Sequence, residues 1–496
     1  MKDKIFWQSR FQRITDLLWM IMIAVLPITS MPLMAKLFGS DTVAAPAILI
    51  ALFFTLIWFI PFLWHRGIMV EEGVPLLVFF VVAVFATVLA NFYDIPAYKG
   101  MNTYRNAIEA LITLVIGIIF YLLTSSYVTS EKKATLTMRV INWSGLVMLL
   151  WAGAQAIAWY GFGRYPQWMF DLQGIISSRV LYRQRINGMA LEPSWFAHQL
   201  NMVYLPIWLS ATIKKFTAHH WKLWFLSFEN LLLLGGIGAL LLTLSRVGLL
   251  GFILMFTFLL VRLHTYFVEK ILQILFLQKK ERISEKRKHR FVIWISLVLI
   301  VVYLMAITLG LWIFSKVDPR MESLFDFSMG KENPLLSYFN ELSFGERVVY
   351  WLAGWNVFTQ HPLLGVGLGN AGFYFPKTIT PYGWNLIEVR RLMYRTTVLL
   401  NVKSLWARLL AETGLVGFSV FCGWIYSLAV KFFKRSHSQN VMEGVFSVAG
   451  IFVLFALLAE GFSIDSFALP YLWVALGLAS ANFRKGEGAE LREENA

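Results

Sequence analysis

The stretch GERVVYWLAGWNVFTQHPLLGVGLGN, from Gly345 to Asn370, lies in the longest polar interval of the chain, which runs from Lys316 to Gly414. On both sides of this interval the sequence reads as one apolar run after another. A connection of this length with no structure or function of its own is uncommon. We therefore predict that the interval covers, and forms part of, the functional site of a membrane protein.

The composition indicates the same class of protein. Of the 496 residues, 58% are hydrophobic and 15% are charged, and the mean hydropathy is +0.63. Soluble domains carry about a quarter charged residues. The net charge of +15 fits basic cytoplasmic loops better than nucleic-acid binding. Cys422, the single cysteine, lies in an apolar run and indicates neither a disulfide framework nor a metal site.

Apolar runs near bilayer length predict an all-α polytopic membrane protein with about twelve transmembrane helices. A large, partly helical extracytoplasmic loop precedes the tenth. The predicted spans are 16–38, 44–64, 74–93, 108–128, 139–161, 194–213, 222–244, 247–267, 291–315, 405–430, 441–461 and 465–483. The chain then divides into a nine-span region (1–315), the loop (316–403) and a three-span region with a cytoplasmic tail (404–496).

Basic loops set the predicted orientation. With twelve spans, the segments rich in Lys and Arg fall on one side, which is predicted to be cytoplasmic together with both termini. These segments are the N-terminus, 131–133, 214–215, 279–290, 431–435 and the tail. Arg164, Arg179, Arg183 and Arg185 then fall outside, before the sixth span. Basic residues on that face are candidates for holding an anionic ligand.

The first polar place at the outer boundary is RINGMALEPSWFAHQL, with Arg185, Glu192 and His198 at the start of the sixth span. Pro193 suits the first turn of a helix, and a carboxylate at Glu192 meets the positive end of the helix dipole. A capped helix with a solvated arginine explains the same pattern, so both interpretations stay open.

The second is LTLSRVGLLGF, where Arg246 stands between two apolar runs. The seventh and eighth spans must turn there in a very tight outer hairpin. An ionisable side chain at such depth usually faces a cavity or a partner, and the planar guanidinium suits phosphate oxygens. The alternative is an arginine that snorkels to the outer headgroups.

The third is a predicted helix that begins near Glu346 and Arg347. Its apolar stripe comprises Val348, Leu352, Trp355, Val357 and Phe358. The tryptophans favour a helix at the outer membrane interface, ended by the His-Pro pair at 361–362 and followed by a glycine-rich turn at 365–369. These glycines follow a helix rather than a strand, so they do not indicate a nucleotide-binding loop.

The fourth is a basic series ahead of Glu412, which comprises Arg390, Arg391, Arg395, Lys403 and Arg408. Solvated or headgroup-facing charges explain it as well as substrate binding does. Glu460 and Asp465 flank the turn between the last two spans, and they fit acids or bases as well as helix ends. No HExxH motif or Cys/His cluster appears in the sequence, so no metal site is predicted.

At these residues the chain resembles the O-antigen ligase and polymerase superfamily of bacterial envelope polysaccharide enzymes. SRVG at 245–248 looks like the family's Ser-Arg-x-Gly at a span end, and RINGMALEPSWFA resembles its Arg-x-x-Gly block. ERVVYWLAGWNVFTQHPLLGVGLGN is similar to its loop helix and His-Pro-x-x-Gly-x-Gly, and ARLLAETGLVGF to its Leu-x-Glu-x-Gly-x-x-Gly helix start. The resemblance covers most of the chain and implies a GT-C-like, metal-independent glycosyltransferase without a cofactor.

The chain departs from the ligases of this superfamily at one point. Those proteins are expected to carry a His-Asn pair at the start of the helix after the loop, with the His as base. Lys403 and Ser404 stand there instead. This difference favours a polymerase and leaves the base unassigned, because Lys403 would act as a base only when neutral. As a cation it would bind phosphate or a sugar acid.

The resemblance implies an undecaprenyl pyrophosphate-linked glycan as donor. Arg185, Arg246 and Arg347 would hold the pyrophosphate and stabilise the charge that develops as it leaves. The other predicted substrate-binding residues are Arg391, Arg395 and Arg408. A hydroxyl of a second lipid-linked glycan would attack the anomeric carbon from the opposite face, which inverts that carbon. Glu192 is the first choice to orient or deprotonate this hydroxyl.

The predicted function is therefore polymerisation of lipid-linked repeat units at the outer face of the bacterial plasma membrane. A chain-length regulator is a candidate partner. A ligase that moves finished polymer to another acceptor is the alternative within the same chemistry. A flippase would share the spans and outward basic residues but would show two similar halves and broken midplane helices, which this sequence lacks. A structural scaffold explains the spans but not the arginines.

Overall fold

The computed structural model describes residues 2–40, 43–66, 71–224, 226–277, 285–317 and 345–483. The helices before residue 220 are α1 (Lys2–Ala24), α2 (Pro32–Phe38), α3 (Pro46–Phe54), α4 (Ile60–Arg66), α5 (Gly73–Leu89), α6 (Thr103–Tyr127), α7 (Glu131–Ala156), α8 (Gln167–Ile176), α9 (Pro193–Gln199) and α10 (Leu205–Ile213). After them come α11 (Phe228–Leu242), α12 (Arg246–Leu277), α13 (Glu285–Val317), α14 (Gly345–Gln360), α15 (Ala371–Thr378), α16 (Ile387–Arg395), α17 (Leu405–Arg435), α18 (Val441–Glu460) and α19 (Pro470–Ser480). The short strands β1 (Lys222–Leu223) and β2 (Leu226–Ser227) pair antiparallel, with Lys222 opposite Ser227.

Eight helical runs within the described residues are long and apolar enough to cross a membrane. They are Pro46–His65, Gly73–Phe92, Thr103–Tyr127, Glu131–Gly161, Arg246–Leu275, Lys286–Gly310, Leu405–Arg435 and Val441–Glu460. α11 and α19 are shorter apolar helices. The all-α membrane fold is confirmed, whereas the count of twelve spans, the side of the large loop and the three-region division at 315/316 and 403/404 stay predictions.

Three predicted spans differ from the observed helices; the twelfth, 465–483, is helical only over Pro470–Ser480. The first, 16–38, is interrupted between α1 and α2, because Pro27 lacks the N–H that a continuing helix requires and Met31 N–H donates to Ala44 O. The seventh, 222–244, contains the β1–β2 hairpin in its first residues. Its helix begins only at Phe228, where the Ser227 hydroxyl accepts from the Asn230 N–H.

The segments that connect the helices form two groups, one at each end of the helical array, and polar contacts join the segments within each group. At one end the pairs are Glu72 with Lys431, Asp16 with Tyr127, and Lys214 with the Ser436 carbonyl. At the other end they are Asn106 with the Gly369 carbonyl, Arg185 with the Thr243 carbonyl, and Ser404 with the Gly461 carbonyl. The first set joins segments predicted to be cytoplasmic, and the second joins segments predicted to be outside. We call the second set the outer end.

Contacts divide the chain into two compact units, one of Met1–Gly251 with Val349–Ala496 and one of Phe252–Val348. In the second unit, His264 Nε2 and Ser296 Oγ lie 3.1 Å apart between α12 and α13. In the first, α17 packs on α5 and α19 packs on α6. Small residues permit this close packing, as at Gly117, whose α-carbon faces the Trp473 ring.

Candidate functional site

A glycine-rich turn follows α14 at the outer end. Gly365, Gly367 and Gly369 have φ of +68°, +81° and +78°, a region that side chains with a Cβ rarely adopt. A Cβ at Gly365 would lie 2.5 Å from the Glu412 carbonyl carbon, and one at Gly369 would lie 2.8 Å from the Asn106 carbonyl oxygen. The turn is therefore wedged between α17 and α6, and it needs glycine for both conformation and space.

The turn docks where α17 is interrupted. Gly414 within α17 has φ 62° and ψ −167°, so the carbonyls one turn earlier lose their helical partners. Val366 N–H donates to Ala411 O at 3.0 Å, and Gly367 N–H donates to Glu412 O at 2.9 Å. The glycine motifs at 365–369 and 414–417 thus meet in one tertiary contact. This contact fixes the backbone at Glu412 and so positions its side chain.

Replacing Gly365 by Ala is expected to lower the thermal midpoint of the detergent-solubilised protein clearly more than Gly163→Ala does. Gly163 has φ +70° with nothing within 4 Å of an added Cβ, so its variant reports only the conformational cost, about 1–2 kcal/mol. The Gly365 variant adds a clash with backbone. Fluorescence-detected size-exclusion chromatography after heating measures both variants. Equal midpoints would contradict the wedged turn.

An amphiphilic cavity of about 620 Å³ opens beside this turn. Its polar rim includes Arg105, Asn106, Glu109, Asn401, Arg408, Glu412, Asp465 and Ser466, with Trp195 beside them. Its apolar wall includes Ile48, Ala51, Leu52, Ile112, Ile116, Ile119 and Phe120. On α6, Glu109 and Phe120 are separated by about 16 Å along the helix at 1.5 Å per residue. The cavity therefore runs from charged groups down an apolar wall, as a lipid with a polar head requires.

The charges of the rim are largely paired. Arg105 Nε lies 2.8 Å from Glu109 Oε1, and Arg408 Nε lies 2.8 Å from Glu412 Oε2. The Arg408 guanidinium also donates to the Asp465 carbonyl. The buried Oδ2 of Asp465 has no hydrogen-bond partner among the described residues. The rim thus contains one buried carboxylate oxygen whose hydrogen-bonding capacity is not used by the described residues.

A second cavity of about 590 Å³ adjoins the first. Both are lined by Gly39 and Ser40, and the second is also lined by Lys36 and Arg179. Arg179 belongs to the basic loop, residues 177–192, which carries three arginines against a single carboxylate, that of Glu192. The basic loop therefore keeps a surplus of positive charge, which the rim of the first cavity lacks.

Charged and titratable side chains of the basic loop lie close enough to interact electrostatically. The Arg179 guanidinium lies 3.7 Å from Glu192 Oε1. Burial raises the pKa of Tyr182, and the Glu192 charge raises this pKa further, while Arg179 and Arg185 lower it. Glu192 is the N-cap residue of α9, but its side chain makes no capping hydrogen bond. The predicted helix start at Pro193 is confirmed, and the carboxylate faces arginine rather than the helix end.

The structure brings Arg185 and the Arg246 hairpin together. Arg185 Nε donates to Thr243 O at 2.9 Å. α11 ends at Leu242 and α12 begins at Arg246, so the predicted tight hairpin is confirmed. A Cβ at Gly248 would lie 2.5 Å from Ala197 Cβ. The Ser-Arg-x-Gly and Arg-x-x-Gly blocks therefore pack directly on one another.

Behind this hairpin lies a buried polar cluster of His198, Asn201 and Glu460. Their exposed fractions are 3%, 0% and 0%. His198 Nδ1 contacts Glu460 Oε2, and Asn201 Nδ2 donates to Glu460 Oε1 at 2.7 Å and to Gly248 O at 2.6 Å. A π-helical turn, Leu200–Tyr204, follows directly, and such turns are frequent at functional sites. The cluster links α9, α12 and α18.

Of the predicted site residues, Arg408 lines the amphiphilic cavity, whereas Arg391 and Arg395 are exposed on α16. Lys403 pairs with Glu388, and its ammonium lies 4.6 Å from the centroid of the Tyr350 ring. The role of Lys403 as base or as substrate-binding cation stays a prediction.

Arg347 lies in the first turn of α14 and belongs to the second unit, so its role beside Arg185 and Arg246 stays a prediction. Sequence reasoning missed Arg105. Its spacing to Glu109 is that of an ordinary solvated pair on a helix, and nothing in the local sequence distinguishes it from one.

The helix predicted after Glu346 is confirmed, but its buried face is shifted from the predicted stripe and shares only Val357 with it. Val349, Tyr350, Ala353 and Val357 are its buried apolar residues. The side chains of Leu352 and Trp355, which belong to the predicted stripe, are 40% and 51% exposed. The packed face is shifted by one residue position from the predicted stripe. The helix is apolar on several faces, so its sequence is compatible with more than one buried stripe.

Residues 231–422 match the model of the family described as O-antigen ligase. This match supports membership of the chain in the O-antigen ligase and polymerase superfamily. The matched stretch contains the Arg246 hairpin, the glycine-rich turn and the first part of α17, while the basic loop lies outside it. A search of curated proteins found no match to the chain.

Proposed function

We propose that this member of the superfamily polymerises lipid-linked oligosaccharide repeat units at the outer face of the bacterial inner membrane, with both termini in the cytoplasm. The observation that carries the proposal is the amphiphilic cavity. Its apolar wall fits the polyprenyl chain of a lipid carrier, and its rim of paired charges and amides fits sugar hydroxyls. The loop around the glycine-rich turn covers the sugar.

In this proposal the donor diphosphate binds at the basic loop and the Arg246 hairpin. The rim of the amphiphilic cavity is poorly suited to a diphosphate, because Arg105 and Arg408 are each neutralised by a carboxylate four residues later. The basic loop has surplus arginines, and the guanidinium fork matches phosphate oxygens. Arg185 and Arg246 then stabilise the charge that develops on the leaving group, with Arg347 as the third predicted contributor.

The non-reducing end of the acceptor glycan reaches the rim of the amphiphilic cavity, and Asp465 accepts the proton of its attacking hydroxyl. The hydroxyl oxygen bonds to the anomeric carbon of the donor from the face opposite the diphosphate. The bond from that carbon to the diphosphate oxygen breaks, and its electron pair leaves with the diphosphate. Asp465 replaces Glu192 as first choice because it lines the amphiphilic cavity and its Oδ2 has no hydrogen-bond partner among the described residues. The step requires no nucleotide, since the leaving group arrives attached to the sugar.

Replacing Arg246 by Lys is expected to lower turnover about tenfold to a hundredfold, while protein abundance stays near normal. The positive charge is retained, but the fork is lost, and a hydrogen bond to a charged group contributes about 1.5–3 kcal/mol. Initial rates in proteoliposomes with lipid-linked repeat units measure the effect. Arg164→Lys, a change at an exposed residue between α7 and α8 that lines neither of the two cavities, is the control. Normal turnover in the Arg246 variant would remove this residue from the site.

The product pattern separates the polymerase from its alternatives. Purified protein is supplied with lipid-linked repeat units in proteoliposomes, and the products are separated on a gel. A ladder of increasing length is expected. Transfer of one preformed block to a different acceptor would favour the ligase, which the description of the matched family also suggests. Glycan that crosses the bilayer with its length unchanged would favour a flippase.

A further inference from the structure

The short helix α16 turns one face inward and leaves a mixed basic and apolar face outward. Val389 and Met393 are 0% and 6% exposed and pack in the cluster formed with α14 and α15. Ile387 and Tyr394 are 78% and 73% exposed. The exposed residues Arg390, Arg391 and Arg395 flank this apolar pair on the same outward face. One hundred degrees of rotation per residue places the two apolar side chains between the arginines.

The C-terminal end of α16 lies level with the ends of two membrane helices. The Lys99 ammonium donates to the carbonyls of Leu392, at 3.0 Å, and Thr396. Lys99 belongs to the connection between the candidate spans Gly73–Phe92 and Thr103–Tyr127. At the ends of these spans Phe92 and Tyr104 are 82% and 63% exposed, as aromatic side chains are at a membrane–water boundary.

We propose that α16 lies in the outer interface of the membrane and binds the headgroups of anionic lipids. Its arginines would contact lipid phosphates, while Ile387 and Tyr394 enter the acyl boundary between them. Val398, just after the helix, is 62% exposed and extends the apolar surface. An anionic lipid surface suits a helix of this kind, because its phosphates can contact the arginines and its acyl chains can contact the exposed apolar side chains. A hydroxyl-rich glycan offers Ile387 and Val398 much less apolar surface than lipid acyl chains do.

This assignment differs from the substrate role predicted for Arg391 and Arg395. Neither residue lines the amphiphilic cavity or the second cavity. Glu388, on the inward edge of α16, pairs with Lys403 just ahead of α17, so α16 is tied to the segment 399–402, which lines the amphiphilic cavity. The proposal does not depend on the reaction that the protein catalyses, because the contact itself can be measured.

The single cysteine makes a direct test practical. In a Cys422→Ser background, Ile387→Cys is labelled with an environment-sensitive fluorophore, and the protein is placed in nanodiscs of phosphatidylcholine alone or of an equal mixture with phosphatidylglycerol. We expect a blue-shifted emission and a reduction of iodide quenching by about half in the anionic discs. Gln360→Cys, at the exposed end of α14, is the matched control, and its label should respond equally in both discs.

A charge variant identifies the cause. In the labelled protein with Arg390, Arg391 and Arg395 all replaced by Gln, the difference between the two discs is expected to disappear, while the elution profile of the folded protein stays unchanged. An identical response of the Ile387 label in both lipids would overturn the proposal. A response that requires an added lipid-linked or acidic glycan instead of phosphatidylglycerol would also overturn it, since α16 would then contact substrate. If Cys422→Ser does not fold, Cys422→Ala provides the background.

Discussion

Asp465→Asn is expected to slow glycan polymerisation by about 10²–10⁴-fold, the usual contribution of a positioned general base. The amide has the shape of the carboxylate but cannot take up the proton of the acceptor hydroxyl. The Asp465 carbonyl, which accepts from Arg408, is unchanged in this variant, so the rim of the cavity keeps its shape. Single-turnover rates with lipid-linked repeat units in proteoliposomes measure the loss.

Asp171→Asn is the control for this change. Asp171 is exposed on α8 and accepts from Gln167 Nε2 on the same helix, and it lines neither of the two cavities. Its variant should polymerise at the normal rate. If Asp465→Asn also retained a normal rate and an unaltered dependence on pH, the proton acceptor would have to lie elsewhere on the rim, with Glu412 the next candidate.

Glu460→Ala is expected to reduce the amount of folded protein severely, because it removes the carboxylate that both His198 and Asn201 contact. Breaking a buried ionisable pair by removing one partner costs about 3–5 kcal/mol. The remaining Asn201 amide also holds the Gly248 carbonyl, so the start of α12 should loosen as well. Thermal midpoints from fluorescence-detected size-exclusion chromatography measure the change.

Two further variants make this result specific. Glu109→Ala removes a carboxylate from an exposed helical pair, and such pairs contribute less than about 1 kcal/mol, so its midpoint should barely move. The double variant His198→Leu with Glu460→Met replaces both buried partners by apolar side chains and should recover part of the lost stability. A Glu460→Ala protein as stable as the Glu109→Ala protein would show that the buried cluster does not hold the helices together.

Local sequence determined the features that depend on neighbouring residues. Bilayer-length apolar runs require helices whatever their partners are, because unpaired backbone groups are not tolerated in hydrocarbon. Pro193 fixes the start of α9, the two apolar runs around Arg246 force a tight hairpin, and the helix at 345–360 ends where the His-Pro pair and the glycines begin. Each of these is decided within a few residues of the chain.

Only the tertiary structure decided which polar groups meet. Asn201 and Glu460 are separated by 259 positions in the sequence, and Asn106 and Gly369 by 263. No periodicity within one helix specifies its neighbour when every helix presents several apolar faces, and α14 indeed packs with a different face from the one its stripe suggested. The amphiphilic cavity, the role open to Asp465 and the surplus charge of the basic loop arise from this packing, because a charge acts on the groups beside it in space rather than along the chain.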